Sequence, residues 1–223
     1  MQQQKSKKIL IYFFLLILFG SINNIKINNL KLYHINDINI IGLDIKEKSI
    51  LLQKIKNLNL DNIFLINRSD LINEIELNSL VEKFLIFKRY PSSLFIKIEK
   101  TKFLARINNN GKIFLIGSNG KLTQNDFSYS NLPFIFGNPD INDFLNFKKI
   151  IDESKISYDE IKNLYFFSSK RWDLELRNNK IIKLSKNYSQ ETLKLISEFL
   201  YDNDFRDISV IDARIKNQII LND

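Results

Sequence analysis

Polar and apolar residues alternate most regularly near the middle of the chain. Over residues 93–99 every second position is apolar, which is the period of a half-buried strand; these positions are Leu94, Ile96 and Ile98. The preceding run, 81–88, is also rich in residues that favour strands. Pro91 lies between the two runs, and its fixed φ angle suits a bend. The pattern predicts a β-hairpin.

The segments on the N-terminal side of this hairpin predict one small domain. Residues 35–41 have the pattern of a strand. Apolar residues recur at helical spacing over 50–58 and again over 69–75, where Ser69 is the expected N-cap. The order over residues 35–100 therefore predicts a β-α-α-β-β domain whose helices cover one face of a three-stranded sheet.

Short strand patterns separated by turn signals dominate the rest of the chain. Strands are predicted at 103–107, 112–116, 161–167, 171–176, 180–184, 209–215 and 218–221. One amphipathic helix is predicted after a cap at Asp140 or Asn142, and another over 191–200 after a capping-box-like start at Asn187. Residues 101–223 are thus predicted to form a β domain with an antiparallel sheet and flanking helices, and the chain as a whole is α+β.

A continuous apolar run near the N-terminus, residues 9–22, predicts a membrane-directed segment. The run is shorter than the ~20 residues that span a hydrocarbon core, and it reaches that length if residues 23–27 lie at the far interface. We therefore predict a single transmembrane helix over 9–27. A cleaved signal peptide is the alternative, although Leu18 and Phe19 occupy positions where a cleavage site prefers small residues.

The charge of the chain predicts how this segment is oriented. The tail, residues 1–8, contains three lysines and no acidic residue, which favours a cytoplasmic N-terminus. Residues 28–34 are then a linker, and the bulk of the chain lies in the periplasm. The formal net charge is +8, but the lysines are scattered rather than clustered. This pattern favours solubility over nucleic-acid binding.

Residue types that carry catalysis or bind metals are scarce. The chain has no cysteine, and its single histidine, His34, lies in the predicted linker, so a usual zinc site or serine–histidine pair is not expected. Residues 117–120 contain two glycines but lack the lysine and helix of a phosphate-binding loop. Trp172 is predicted to fill the core, and Asp212 and Arg214 to form an ion pair within the domain. The chain is therefore predicted to be a binding scaffold and not an enzyme, with no cofactor, metal or small-molecule substrate.

Several short motifs follow one another in the order found in a known family. They are Arg89 and Pro91 at the bend, the strand that ends at Glu99, Ala105, the strand and glycine at 38–42, Ile116, Gly120, Leu132, Pro133, Gly137, the tryptophan-bearing strand at 171–176 and the segment 211–214. These motifs occur in this order after one apolar segment. In this respect the chain resembles the FtsQ/DivIB bacterial cell-division proteins. The resemblance implies that residues 35–100 form a POTRA domain and residues 101–223 the C-terminal β domain of that family.

The resemblance also implies a function. Members of the family are bitopic inner-membrane scaffolds of the divisome, located at the division septum, that bind FtsB and FtsL and link early to late division proteins. Their partner-binding terminal strand matches Arg214, Ile215, Lys216, Asn217 and Gln218. The partner would add one strand to the free edge of the sheet. The POTRA domain would make a second contact, with other divisome proteins.

Two other functions remain open from the sequence. A POTRA-bearing translocation or assembly component of the outer membrane predicts repeated POTRA units or amphipathic barrel strands. A secreted envelope enzyme with an unrecognised site predicts signal cleavage and at least two converging titratable groups.

Overall fold

The computed structural model describes residues 2–22, 34–58, 60, 62–124, 129–205, 207–215 and 218–222. The backbone divides into two compact units, the first made of Met1–Leu77 with Phe84–Ile98 and the second of Asn78–Lys83 with Glu99–Asp223. Both units contain helices and strands, which confirms the α+β class. The predicted domain bounds, 35–100 and 101–223, stay predictions.

Helix α1, Gln2–Ile22, opens the chain. Its large apolar side chains from Ile9 to Phe19 are exposed. Within the described residues, no helix has both the length and the apolar character that crossing a membrane requires. The anchor over 9–27 and the linker over 28–34 stay predictions, and residues 23–33 of them lie outside the described residues.

The first unit has the predicted order of elements. Its elements are β1 Asp37–Ile41, α2 Ile45–Lys56, α3 Arg68–Glu76, β2 Val81–Arg89 and β3 Ser93–Lys100, of which β2 and β3 run into the second unit. The strands form a three-stranded sheet in the order β1-β3-β2, with β1 parallel to β3. The helices connect β1 to the hairpin, and this long crossover is what permits two parallel neighbours.

Helical periodicity explains the core of the first unit. Leu51 and Ile55 of α2, and Leu71 and Ile75 of α3, are buried at spacings of four residues. The predicted cap of α3 at Ser69 is wrong by two positions. The side chain of Asn67 accepts the bond from the Ser69 N–H at 3.1 Å, and the helix starts at Arg68. The earlier amide caps the helix because its oxygen can reach the second free N–H of the first turn.

The second unit contains a nine-stranded sheet and two of the described helices. Its elements are β4 Phe103–Asn109, β5 Lys112–Gly117, β6 Leu122–Gln124, β7 Phe134–Phe136, α4 Ile141–Asp152, β8 Ile161–Phe166, β9 Trp172–Leu176, β10 Ile181–Leu184, α5 Gln190–Tyr201, β11 Val210–Ala213 and β12 Ile220–Asn222. The strand order is β12-β11-β10-β9-β8-β7-β4-β5-β6.

The prediction of an antiparallel sheet is wrong, because the sheet is mixed. The pairs β4/β7, β7/β8 and β10/β11 are parallel. The helices explain two of them: α4 lies between β7 and β8 in the chain, and α5 lies between β10 and β11. A strand that follows such a crossover returns in the same direction as the strand before it. Strands β6 and β7 were not predicted.

The two helices pack on one face of the large sheet. Buried strand residues on this face include Leu164, Leu174, Ile182 and Ile211, which lie opposite one another across β8 to β11. Helix residues in the same cluster are Phe144, Phe147 and Ile151 of α4 and Leu193 and Ile196 of α5. Trp172 is 2% exposed and stacks on Phe147 with ring centroids 4.6 Å apart. The prediction that this tryptophan fills the core is confirmed.

The caps of these helices were predicted only in part. Asp140 caps α4, since its carboxylate accepts the bond from the Asn142 N–H at 2.8 Å. Asp140 was one of the two predicted caps. The predicted start of α5 at Asn187 is wrong. Ser189 is the cap, and its hydroxyl accepts the bond from the Thr192 N–H at 3.2 Å.

Candidate partner-binding edge and groove

Strand β12 forms one edge of the nine-stranded sheet. It pairs antiparallel with β11, with Leu221 opposite Ile211 and Ile220 opposite Asp212. No described strand lies on its other side. N–H and C=O groups that point outward from such a strand are a ready template for one more strand. Among the described residues, one side of β12 is therefore left without a neighbouring strand.

The five predicted contact residues lie in the connection that leads to this edge strand. Arg214 and Ile215 follow β11, and Gln218 precedes β12. The sequence pattern had placed these three residues within strands, which is wrong. Lys216 and Asn217 lie outside the described residues.

Local hydrogen bonds explain why the strands stop short of these residues. The backbone N–H of Arg214 donates to the Asp212 carboxylate at 3.1 Å instead of to a neighbouring strand. The N–H of Gln218 donates to the Ile215 carbonyl at 3.2 Å, which closes a turn. Each donor is satisfied within its own segment, so the ladder is interrupted there.

A groove lies beside this connection, on the side of α5. Its volume is about 1080 Å³, close to the upper end of the ~300–1,000 Å³ range of ligand pockets. The residues that line it come from the β10–α5 connection, from α5 and from the β11–β12 connection: Ser185, Lys186, Asn187, Ser189, Glu191, Thr192, Leu195, Phe199, Ala213, Arg214, Ile215, Gln218 and Ile219. The three described members of the predicted contact set are thus brought together on one groove.

The orientation of α5 determines which of its residues reach the groove. Leu193 and Ile196 are buried in the core beneath the helix. Leu195 lies off this buried stripe, is 45% exposed and lines the groove. Across the groove Ile215 is 53% exposed. The groove therefore presents apolar side chains on both sides within a polar rim.

Arg214 is held at the groove by an ion pair. Its Nε donates to both carboxylate oxygens of Asp212, at 2.8 and 2.9 Å. This hydrogen bonding lowers the pKa of Asp212. The predicted ion pair within the domain is confirmed. Lys186 and Glu191 add one charge of each sign to the groove lining.

The face of the sheet opposite the core carries a row of charged residues. Asp173, Lys183 and Asp212 lie side by side on β9, β10 and β11. Asp173 is only 6% exposed, and burial raises its pKa, although the nearby Arg171 guanidinium opposes the shift. Arg171 Nε lies 3.7 Å from Asp173 Oδ1, and neither atom has a hydrogen-bond partner among the described residues.

Glu175 forms a second polar cluster on this face. Its carboxylate accepts bonds from Tyr165 at 2.7 Å, Lys162 at 2.8 Å and Asn163 at 2.9 Å. The hydrogen bonds from Asn163, Lys162 and Tyr165 lower the pKa of Glu175 to about 2. A carboxylate with so many donors is held as a structural anion and is a poor general acid or base near neutral pH.

Within the part of the chain that the structure describes, no three histidine, cysteine, aspartate or glutamate side chains are grouped as metal ligands would be. The groove instead offers apolar side chains and a few charges, and the edge strand β12 that follows its last lining residue has a described neighbour on one side only. These are the elements of a site for another polypeptide.

Two curated relatives are similar to the chain. It is 22% identical over 170 residues to "Cell division protein FtsQ" of Rickettsia bellii. It is 24% identical over 163 residues to "Cell division protein FtsQ" of Rickettsia felis. Each match covers 70% of this chain, and the chain spans about 60% of the length of these relatives. These two relatives support an FtsQ/DivIB family assignment for the chain.

No protein-family model matches the chain. Among solved structures, the chain is 11% identical to the major extracytoplasmic domain of the cell division protein DivIB of Geobacillus stearothermophilus in its trans isomer, covering 36% of this chain and 75% of that one, with a TM-score of 0.29. A likeness this low adds nothing to the FtsQ/DivIB assignment.

The FtsQ/DivIB motifs seen in the sequence occupy structural positions. Pro91 lies in the turn between β2 and β3, and Trp172 begins β9 in the core. Asp212 and Ala213 end β11, and Ala213 is 4% exposed. Turn geometry explains the proline at position 91, and burial explains the apolar residues at positions 172 and 213.

The α5 side of the groove was not predicted from the sequence. Lys186, Leu195 and Phe199 line it but were not predicted as contacts. Leu195 had one available signal, because it is an apolar residue outside the buried stripe of an amphipathic helix. Lys186 had none, since a lysine in a loop is ordinary until the fold places it in the same groove as Arg214.

Proposed function

We propose that the chain acts in bacterial cell division as a scaffold that binds other proteins and does not catalyse a reaction. The similarity to the two Rickettsia proteins, which are named as cell division proteins, supports a role in this process. The observation that carries the binding mode is the one-sided pairing of β12 next to the groove. In this proposal Arg214, Ile215, Lys216, Asn217 and Gln218 are contact residues for the partner.

Binding proceeds by strand addition. A partner segment pairs with the outer margin of Ile220–Asn222, and its backbone completes the ladder that the sheet leaves open. Because β12 is only three residues long, the ladder alone is a small contact. Side chains that enter the groove between Leu195 and Ile215 supply apolar burial and specificity.

Charge favours an acidic partner segment. The groove lining contains two basic residues, Lys186 and Arg214, and one acidic residue, Glu191. Arg214 is already bound to Asp212, so a partner carboxylate shares this guanidinium or displaces Asp212 from it. Lys186 is exposed and supplies the second positive charge.

The partners implied by the family are FtsB and FtsL, and the scaffold links early to late division proteins. Residues 9–27 anchor the chain in the inner membrane, residues 1–8 lie in the cytoplasm, and the rest lies in the periplasm at the septum. The first unit corresponds to the POTRA domain of the family and contacts a second divisome protein through its hairpin.

Proline substitutions in the edge strand test the binding mode. Ile220→Pro and Leu221→Pro each remove one backbone donor, and on a strand these donors point alternately toward β11 and outward. The variant that removes the outward donor loses partner binding while the second unit stays folded. The measurement is co-purification of FtsB and FtsL with the full chain from membranes, with folding followed by fluorescence of the buried Trp172.

Matched controls separate this effect from general damage to the sheet. Gln124→Pro makes the same change in β6, at the opposite edge, and retains binding. In the groove, Leu195→Glu weakens binding, whereas Lys194→Glu on the same helix but outside the lining does not. Partner yields that stay at the wild-type level in both β12 variants and in Leu195→Glu would reject the proposed site.

A further inference from the structure

Exposed apolar side chains gather at one end of the first unit. The ring of Phe64, in the connection between α2 and α3, stacks on Tyr90 at the β2–β3 turn with centroids 4.8 Å apart. Leu65 is 81% exposed, Tyr90 59% and Phe64 54%. We refer to Phe64, Leu65 and Tyr90 as the aromatic tip. Single exposed apolar residues are common, but three large ones at adjoining turns mark a surface that contacts something apolar.

The polypeptide enters the first unit at this same end. The N–H groups of Asn36 and Asp37 donate to the carbonyl of Ser92, at 2.9 and 3.4 Å, and Asp37 lies opposite Ser93. Ser92 is two residues from Tyr90 in the β2–β3 turn. The chain that arrives from the apolar helix α1 therefore joins the unit beside the aromatic tip. Residues 23–33 connect the two, and so short a segment reaches at most about 40 Å when fully extended.

The charged side chains that the structure describes at this end are mainly cations. Among its described residues, the cations are Lys56, Arg68, Lys88 and Arg89, all exposed, and the carboxylates are Asp37 and Asp70. The carboxylate of Asp70 accepts a hydrogen bond from the Asn67 amide at 2.8 Å. The Arg89 guanidinium lies 4.6 Å from the centroid of the Phe95 ring, which holds it near the tip.

We propose that the aromatic tip rests on the surface of an anionic lipid bilayer. Tyr90 and Phe64 lie at headgroup level, Leu65 reaches the acyl boundary, and Lys88 and Arg89 meet lipid phosphates. Aromatic rings and basic side chains are the residue types that prefer this interface. The inference rests on the proposed membrane anchoring, because a nearby anchor keeps the aromatic tip close to the bilayer and so raises its effective concentration at the lipid surface.

The contact would fix how the first unit stands on the membrane. A single flexible linker leaves a domain free to rotate, whereas an anchor with a second surface contact restricts it. The opposite end of the unit, where α2 begins at Ile45 and α3 is followed by Leu77, would then face away from the bilayer.

Site-directed spin labelling can test the proposal because the chain has no cysteine. The full chain is reconstituted in vesicles of phosphatidylethanolamine and phosphatidylglycerol, with a label at Leu65→Cys. Matched labels at Ile45→Cys and Leu77→Cys are equally apolar positions, 90% and 74% exposed, at the other end of the unit. Collision rates with oxygen and with a water-soluble nickel chelate measure the depth of each label.

We expect a several-fold higher ratio of oxygen to nickel collisions at position 65 than at positions 45 and 77. Adding Lys88→Glu and Arg89→Glu, or using vesicles of phosphatidylcholine alone, should lower the ratio at 65 toward the control values. Far-UV circular dichroism of each labelled chain must match the unlabelled protein. Equal ratios at all three positions would overturn the proposal, as would spin–spin broadening at 65, which would assign the tip to a second copy of the chain.

A carbonate wash distinguishes failure of the tip from failure of the anchor. A chain that resists the wash but shows equal ratios retains its anchor and loses the tip contact. A chain that the wash removes, but whose label at 65 enters the lipid before the wash, binds the surface through the tip without an anchor. The second result would reject the proposed anchoring and support the lipid contact.

Discussion

Replacing Glu175 with glutamine tests how much the polar face of the large sheet stabilises the second unit. The carboxylate of Glu175 accepts bonds from Tyr165, Lys162 and Asn163, and its pKa falls from 4.5 to about 2. That difference corresponds to about 3 kcal/mol in favour of the folded anion. The side chain is 17% exposed, and solvent screening weakens such pairs, so we expect Glu175→Gln to lower the free energy of unfolding by about 1–2 kcal/mol at neutral pH.

The assay is urea unfolding followed by the fluorescence of Trp172. This residue is the single tryptophan of the chain and is buried in the second unit, so its emission reports on that unit. Because the pKa of Glu175 is lower in the folded state, its contribution is present above about pH 4.5 and is lost as the pH falls toward 2. The wild type and Glu175→Gln should therefore converge in stability in acid.

Glu198→Gln is the matched control, since Glu198 is an exposed residue of α5 in the same unit. It should change stability little at any pH and corrects for the general effect of losing one negative charge. Two results would refute the reasoning: equal stabilities of wild type and Glu175→Gln at neutral pH, or a deficit of the variant that stays constant down to the acid limit.

Two further substitutions test packing. Trp172→Ala should cost about 3–5 kcal/mol in unfolding followed by circular dichroism, because the indole stacks on Phe147 in the core; a loss below about 1 kcal/mol, typical of surface sites, would contradict this burial. Gly42 has a φ of 98°, and an added Cβ would lie 1.8 Å from the Ile98 carbonyl oxygen. Gly42→Ala should therefore expose the first unit to proteolysis far more than Gly111→Ala, where φ is 81° and nothing lies within 4 Å; similar digestion of both variants would argue against this close approach.

Patterns that depend on neighbouring residues along the chain were predicted well. The hairpin of β2 and β3 followed from alternation of apolar residues, and α4 followed from helical spacing after a cap at Asp140 or Asn142. Burial of Trp172 followed from its size and strand context. Each of these features is set by local periodicity and by the matching of side-chain type to solvent exposure.

Features that depend on distant residues were missed or wrong. Strands β6 and β7 have three residues each, which is too short for a periodic signal, although Ile135 of β7 is 1% exposed. The ends of β11 and β12 were placed wrongly because apolar residues continue past Ala213 to Ile215. The backbone there instead bonds to Asp212 and closes a turn at Gln218.

The amino-acid sequence alone determined the α+β class, the order of the main elements and, through its motifs, the resemblance to FtsQ/DivIB proteins, because periodicity and residue order are written along the chain. Only the tertiary structure decided that the sheet is mixed, that the edge strand begins at Ile220 and that Leu195 and Ile215 share one groove. Strand order and the meeting of distant side chains depend on how helices return the chain across the sheet, and that information is not local.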